Sequence, residues 1–511
     1  MTEKKRVLIS VSDKTGLKEL AEKLTSNYDY EIVATGNTYK FLEENNIKNI
    51  IKSEDITEFN QLLDGKVKTL HPKIHAAILA DPTISTDLAD LKHFNIKPFN
   101  MVIVNLYPFE KVSLSTDDED ILVKNIDIGG VAILRAAAKN YKNITVVSDI
   151  SQYEVILDEL KQFSEITDQT RKDFSLAAFK LTSEYDSIIL KKFQQINNID
   201  HYLSINTRKI KELRYGENPH QKSSLYEIEN QISYEILNGK ELSYNNYLDM
   251  TSALNIISEF YDVASCAIVK HNTPCGVALG KDINEAYLKA LDCDPISAFG
   301  GIVALSRTID KTLAKNLVSI FLEVVIAPDF TQDALDILKT KKNLRLIKLN
   351  TPLESYKKII NKEIKVTPFG ILVQDIDNKD LNKETFKIVT KQKADETMIE
   401  DMIFAWKVAK HVKSNAIVIA KDFKTLGISG GQTSRIEAVE IALNKACDQA
   451  KDAVLASDGF FPAIDNIEAA AQNRIRGIIQ PGGSIKDKDV IDTADKYSIT
   501  MVTTSIRHFR H

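Results

Sequence analysis

The residues best equipped for chemistry lie in two separate stretches. Lys270 and His271 stand side by side at the end of a short apolar run, residues 267–271. A histidine titrates near neutral pH and can accept a proton there, and a lysine ammonium can steady a developing negative charge. Far upstream, the loop 65–72 carries Lys66, Lys68 and the hydroxyl of Thr69, the groups expected around a phosphate monoester. Four further segments, 10–16, 34–38, 105–109 and 126–130, place hydroxyls, small residues or a charge at strand-to-helix turns. Singly, Ser12, Asp13 and Thr38 read as helix N-caps. Four such turns gathered at one sheet edge read as a ligand site. His71 and His75 have the spacing of a zinc helix, yet Pro72 intervenes and no glutamate follows His71. The metalloprotease pattern therefore fails; His71 reads as structural or as a support behind the site residues, and no metal is expected.

These turns need a scaffold. Residues 6–11, 30–34, 74–79, 101–106 and 144–147 read as strands, with helices such as 16–25 and 130–139 between them. That alternation describes α/β architecture, a parallel sheet wrapped by helices. From about 150 the pattern is helical and charged, as in 153–163 and 171–193, until 194–200 loses periodicity and fills with turn residues. The boundary is placed there, giving domains 1–198 and 199–511. In the second, strands at 267–271 and 416–420 are each followed by a second apolar run, 277–279 and 426–428, and then by a helix, 283–291 and 435–446. Strands at 302–305 and 454–456 extend the echo, so two subdomains on one plan are expected.

Composition sets the outer limits. The 511 residues suggest roughly three ordinary domains or two large ones. At 43% hydrophobic and 27% charged the chain is globular, which excludes fibres and linkers. The formal charge of −5 recruits neither nucleic acid nor an anionic membrane. No apolar run approaches the roughly 20 residues of a membrane span, and the four cysteines include no Cys-x-x-Cys. A protein of the reducing cytoplasm is expected.

The runs 10–16, 65–72, 105–109 and 126–140 (IDIGGVAILRAAAKN) resemble the cyclohydrolase half of a bifunctional purine-biosynthesis family. Its members combine 5-aminoimidazole-4-carboxamide ribonucleotide (AICAR) formyltransferase with inosine monophosphate (IMP) cyclohydrolase. The second half is similar through 213–221 (LRYGENPHQ), 270–276 (KHNTPCG), 294–301 (DPISAFGG), 430–436 (GGQTSRI), 457–462 (SDGFFP) and 505–509 (SIRHF). The resemblance implies a methylglyoxal-synthase-like N-terminal domain and a C-terminal domain of two deaminase-like subdomains without zinc. It also implies formyl transfer from 10-formyltetrahydrofolate, a co-substrate, to the exocyclic amine of AICAR, then dehydrative closure of formyl-AICAR to IMP.

By that resemblance His271 is the proton acceptor and Lys270 its electrostatic support. Adjacent strand residues point to opposite faces, so one of the two must be turned at the strand end. Lys68 and Lys139 would stabilise the oxyanion of ring closure, with Asp127 and Tyr107 orienting or deprotonating the amide. Ser12, Lys14, Thr35, Gly36, Lys66, Thr69, Asn105 and Gly129 would bind substrate in the first half. In the second, Arg214 and Arg507 would hold the ribonucleotide phosphate. Tyr215, Gly300, Glu323, Asn415, Arg435, Phe460 and Asp465 would surround the imidazole carboxamide and the folate. A homodimer is implied as well.

Some positions depart from the family pattern. Ala463 follows Phe460-Phe461-Pro462 where a further aromatic is common, Glu323 stands against aspartate in some members, Asn37 replaces glycine, and Lys66 replaces arginine. Three rivals remain open. A zinc deaminase needs a Pro-Cys-x-x-Cys that 274–278 lacks. The first domain alone could be a phosphate-ester lyase, and the whole could be a purine-nucleotide sensor.

Overall fold

Five parallel strands carry the N-terminal part: β1 (Arg6–Val11), β2 (Glu31–Ala34), β3 (Ile50–Lys52), β4 (Met101–Asn105) and β5 (Thr145–Val147), in the order β3-β2-β1-β4-β5. The coordinates are a computed structural model that describes residues 4–59, 63, 67, 69–199, 201–228, 231–381 and 386–511. It divides into two units, Met1–Asn206 and Thr207–His511. In β1 the sequence RVLISV is buried on both faces, as a central parallel strand must be. Helix Leu17–Asn27 buries Leu17, Leu20, Ala21 and Leu24, one stripe at helical spacing. The helix Asp168–Ile196 closes the unit, with Ser175 Oγ donating to the Ala138 carbonyl at 2.7 Å.

Three expectations change here. Residues 74–79 are no strand but most of the helix Pro72–Leu79. Pro72 is pre-organised for a first helical position, His71 Nδ1 accepts the Lys73 N–H at 3.2 Å, and Ile74, Ala77 and Ile78 form a helical stripe. β3 went unread because three residues show no usable period. Residues 126–130 link two helices rather than end a strand. Helix Asp168–Ile196 also runs into the stretch read as aperiodic; Gln194 and Ser187 then hold Tyr202 and Asn206 back against it, at 3.1 and 2.7 Å.

In the second unit β6 (Lys209–Leu213) and β7 (Ser223–Tyr226) form one hairpin. The strands β8 (Tyr234–Asn238), β9 (Ala264–Lys270), β10 (Thr273–Gly280), β11 (Ile302–Leu305), β12 (Val324–Ala327) and β13 (Arg345–Leu349) form half of a large sheet. β14 (Lys362–Thr367) and β15 (Gly370–Asp375) make a second separate hairpin. The other half of the sheet comprises β16 (Lys387–Ile388), β17 (Ile417–Lys421), β18 (Lys424–Ser429), β19 (Val454–Ser457), β20 (Gly477–Gln480) and β21 (Thr500–Thr503). The order is β16-β21-β20-β19-β17-β18-β10-β9-β11-β12-β13-β8, so the expected echo is a complete structural repeat joined at the β10–β18 pair.

The repeat reaches single residues. A Cβ on Gly276 would lie 2.0 Å from the Ala290 carbonyl, and one on Gly427 2.1 Å from that of Ala442. Each glycine lets a hairpin strand press against its following helix, Ile283–Cys293 or Arg435–Ala446. Along β9, Ala267 and Val269 face one core and Cys266 and Ile268 the other. The first core is shared by helices Tyr244–Ile257 and Glu396–Ala409, one from each half.

Candidate functional site

In the first unit, Asn105 at the end of β4 grips the turn that follows its neighbour β1. Its Oδ1 accepts the N–H groups of Ser12 and Asp13 at 2.5 and 3.0 Å, and its Nδ2 donates to the Asp13 carbonyl at 2.8 Å. Lys14 Nζ reaches the Ser12 carbonyl at 3.4 Å. At the end of β2 the buried Thr35 donates to Ser10 Oγ at 2.9 Å, and Gly36 begins the next helix at φ 27. None of the three suspected caps serves as one. Helix Leu17–Asn27 is preceded by Gly16 at φ 71, and Thr38 Oγ1 bridges the Val11 N–H and carbonyl instead.

Asp127 lies just before helix Gly129–Lys139. One oxygen accepts the Gly130 N–H at 2.8 Å and the other the Tyr107 N–H at 3.3 Å, so segments 105–109 and 126–130 do meet. The Tyr185 hydroxyl accepts the Asp127 N–H at 2.8 Å and donates to the Asn125 carbonyl at 3.3 Å. Burial, with the Asp127 charge, raises the Tyr107 phenol above its ordinary pKa, so it stays a neutral donor. The buried Thr69 hydroxyl would be 2.7 Å from a Cβ on Gly129, which puts Thr69 at this helix start. Lys66 and Lys68 lie outside the described residues. Lys139 does not join the cluster. It sits at the far end of the helix, about 15 Å along the axis, beside Leu79, Arg135, Ala136 and Phe179.

In the second unit, Lys270 ends β9 and donates to the Phe299 carbonyl at 2.8 Å, beside Gly300. His271 and Asn272 form the whole turn to β10, both left-handed at φ 55 and 59. This turn releases His271 from strand alternation and leaves it exposed next to Lys270. The helix Tyr244–Ile257 assembles the surroundings. Asn245 donates to the Glu217 carbonyl at 3.2 Å and so holds the loop bearing Arg214 and Tyr215. Asn246 donates to Glu323 at 2.8 Å, and Asp249 accepts the Asn272 N–H at 2.6 Å. Sequence reasoning missed all three. The signal was present in Tyr244-Asn245-Asn246-Tyr247-Leu248-Asp249, where polar residues recur on a helix with a buried face.

The remaining nominees gather in the other repeat. Arg435 Nη2 donates to Asn415 Oδ1 at 2.6 Å, and its Nη1 to Ser457 and Asp458, each at 2.7 Å. A Cβ on Gly459 would strike Arg435 Nη2 at 2.5 Å and Phe509 at 2.6 Å, so only glycine fits. Phe460 points outward while Phe461 is fully buried, and the exposed Asp465 opens the next helix. Arg507 stacks 4.3 Å from the Phe509 ring centroid and Arg214 5.3 Å from that of Tyr215. Among the described residues no group of three His, Cys, Asp or Glu could hold a metal, and no helix is long and apolar enough to cross a membrane.

The family described as "AICARFT/IMPCHase bienzyme" matches residues 137–445, more than half of the chain. The chain belongs to that family. An MGS-like domain matches residues 16–132, in agreement with the parallel sheet there. The bienzyme's curated relatives include the bifunctional purine biosynthesis protein PurH of Caldicellulosiruptor saccharolyticus, 49% identical over 99% of this chain and the whole of that protein. PurH of a Thermoanaerobacter species is 46% identical and PurH of Clostridium botulinum (strain Kyoto / Type A2) 48%, each over 99% of this chain and the whole of theirs. A crystal structure of ForH aligns with 37% of this chain and all of its own at 26% identity and a TM-score of 0.34. As a bienzyme the chain catalyses formyl transfer to AICAR and ring closure to IMP, the last two steps of IMP formation. Nothing favours the sensor or lyase readings.

Proposed function

We propose a division of labour in which His271 and Lys270 run formyl transfer in the second unit while Asp127, Tyr107 and Lys68 run ring closure in the first. The AICAR amine is a weak nucleophile because its lone pair spreads into the imidazole. As it attacks the formyl carbon of 10-formyltetrahydrofolate, His271 takes its proton and Lys270 steadies the oxyanion; the carbon–N10 bond then breaks, with the proton passed to N10 to release tetrahydrofolate. Arg214 and Arg507 hold the phosphate, Asn246 and Glu323 flank the nucleotide, and Phe460 and Asp465 border the pterin. The observation that carries this reading is the single helix, Tyr244–Ile257, whose first turns bind three motifs remote in sequence.

In ring closure the carboxamide nitrogen attacks the formyl carbon and water leaves, with the reactants held in one molecule. Ser12, Lys14, Thr35, Gly36, Lys66, Thr69, Asn105 and Gly129 serve to bind the phosphate and ribose. Asp127 orients the amide, with Lys68 as the cation for the oxyanion. Lys139 is left in a supporting place, because the helix separates it from Asp127.

The protein acts in the cytoplasm as a homodimer of this chain, with domains dividing near residue 198. The exposed hairpin β14–β15, with Val366 83% and Phe369 fully exposed, supports a partner there. Incubating the protein with AICAR and 10-formyltetrahydrofolate should yield IMP. Binding of AICAR without turnover would count against the reading, and an active monomer by light scattering against the dimer.

A further inference from the structure

The turn that presents His271 has a backbone that side chains seldom adopt. Two-residue hairpin loops with both residues left-handed favour Asn-Gly and similar pairs, and a histidine is held there only if its surroundings over-determine it. Asp249 supplies that hold. Its Oδ1 accepts the Asn272 N–H at 2.6 Å, and the His271 N–H donates to the same carboxyl. Burial raises the Asp249 pKa, against the pull of both N–H groups and of His271.

The other half of the sheet carries the same device. Asp401 stands at the step of Glu396–Ala409 that Asp249 occupies on Tyr244–Ile257. It accepts the Asp422 and Phe423 N–H groups at 3.0 and 2.9 Å, across a turn whose two residues are left-handed at φ 54 and 55. One clamp thus holds a turn with no nominated residue, and its twin holds the turn that begins with His271.

We infer that Asp249 is a positioning residue for formyl transfer, acting through the His271–Asn272 turn to aim the imidazole. The inference rests on His271 being the base. Removing the carboxyl frees two N–H groups in a half-buried turn and lets the imidazole swing, and a displacement of about 1 Å can cost about 100-fold. The carboxyl acts through the turn, to whose N–H groups it is bonded.

The test compares Asp249→Ala, Asp249→Asn, His271→Ala, the Asp249→Ala/His271→Ala pair and Asp401→Ala in the full chain. Asp249→Ala should lower kcat for formyl transfer about 10- to 100-fold, with KM for AICAR and formyl donor within about twofold. Ring closure of supplied formyl-AICAR should not change. Asp249→Asn keeps an acceptor oxygen and should recover most of the rate. In the His271→Ala background, Asp249→Ala should have no further effect. Asp401→Ala should lower the thermal midpoint and leave kcat alone. Wild-type kcat in Asp249→Ala, an equal loss in both backgrounds, an Asn variant as slow as the Ala variant, or an equal kcat loss in Asp401→Ala would each overturn the inference. Full transfer activity in His271→Ala would instead remove the base assignment beneath it.

Discussion

Arg435 and Asp458 form an ion pair at 2.7 Å with both side chains almost wholly buried, and the same guanidinium holds Asn415. Such a pair is costly to break, because the surviving charge is stranded without water.

Arg435→Ala should therefore destabilise the protein by about 3–5 kcal/mol, well beyond a surface substitution. Chemical denaturation would read this. A change below about 1 kcal/mol would mean that Asp458 finds another partner.

Gly130 faces the Asp127 carboxylate closely enough that a Cβ would lie 2.7 Å from Oδ2. Gly130→Ala should push that carboxylate aside and slow ring closure about 10- to 100-fold, while formyl transfer continues. Equal ring-closure rates for variant and parent would remove Asp127 from the chemistry.

Much of this was legible in the sequence, for a physical reason. β1, β11 and the helix Arg435–Ala446 announce themselves because burial on a sheet or a helix face imposes a period over many residues. Residues 74–79 misled because a short apolar run suits a strand as well as a buried helix, and the deciding Pro72 lay just outside it. The Lys270-His271 pair was readable, and its geometric puzzle was posed correctly, but the answer lay in backbone angles that no residue type dictates. Asp249, Asn245 and Asn246 were missed for another reason. Their partners are from 23 to 77 residues away in the chain, and such pairings exist only once the sheet has formed.

Acid should loosen the second unit in a defined window. His411 is buried with Nε2 at 3.1 Å from Glu259, and burial pushes its pKa down to about 4, although Glu259 pulls it upward. The folded protein keeps this imidazole neutral, whereas the unfolded chain takes a proton below about pH 6.5. Stability is therefore lost as pH falls from about 6.5 to about 4, at up to about 1.4 kcal/mol per pH unit. Glu259 is pushed up by burial but held well below the carboxylate range by the His411 hydrogen bond and by Lys410 and Lys357, so it adds a loss at lower pH. His411→Gln should flatten the curve between pH 6.5 and 5 in denaturation series. An unchanged slope would contradict this.

A fragment ending at Asn206 should fold alone and close the ring. All five strands of its sheet lie within it, and residues up to Asn206 return to the last helix. About 200 residues are ample for a self-sufficient core. A cooperative thermal transition without formyl-AICAR turnover would mean that the second unit completes the site.

The measurement closest to the central claim follows both reactions on one His271→Ala protein. Formyl transfer from 10-formyltetrahydrofolate to AICAR should fall by about 10²- to 10⁴-fold, while conversion of supplied formyl-AICAR to IMP keeps its parental rate. Loss of both rates in a cooperatively folded protein, or survival of formyl transfer, would contradict the assignment of one chemistry to each unit.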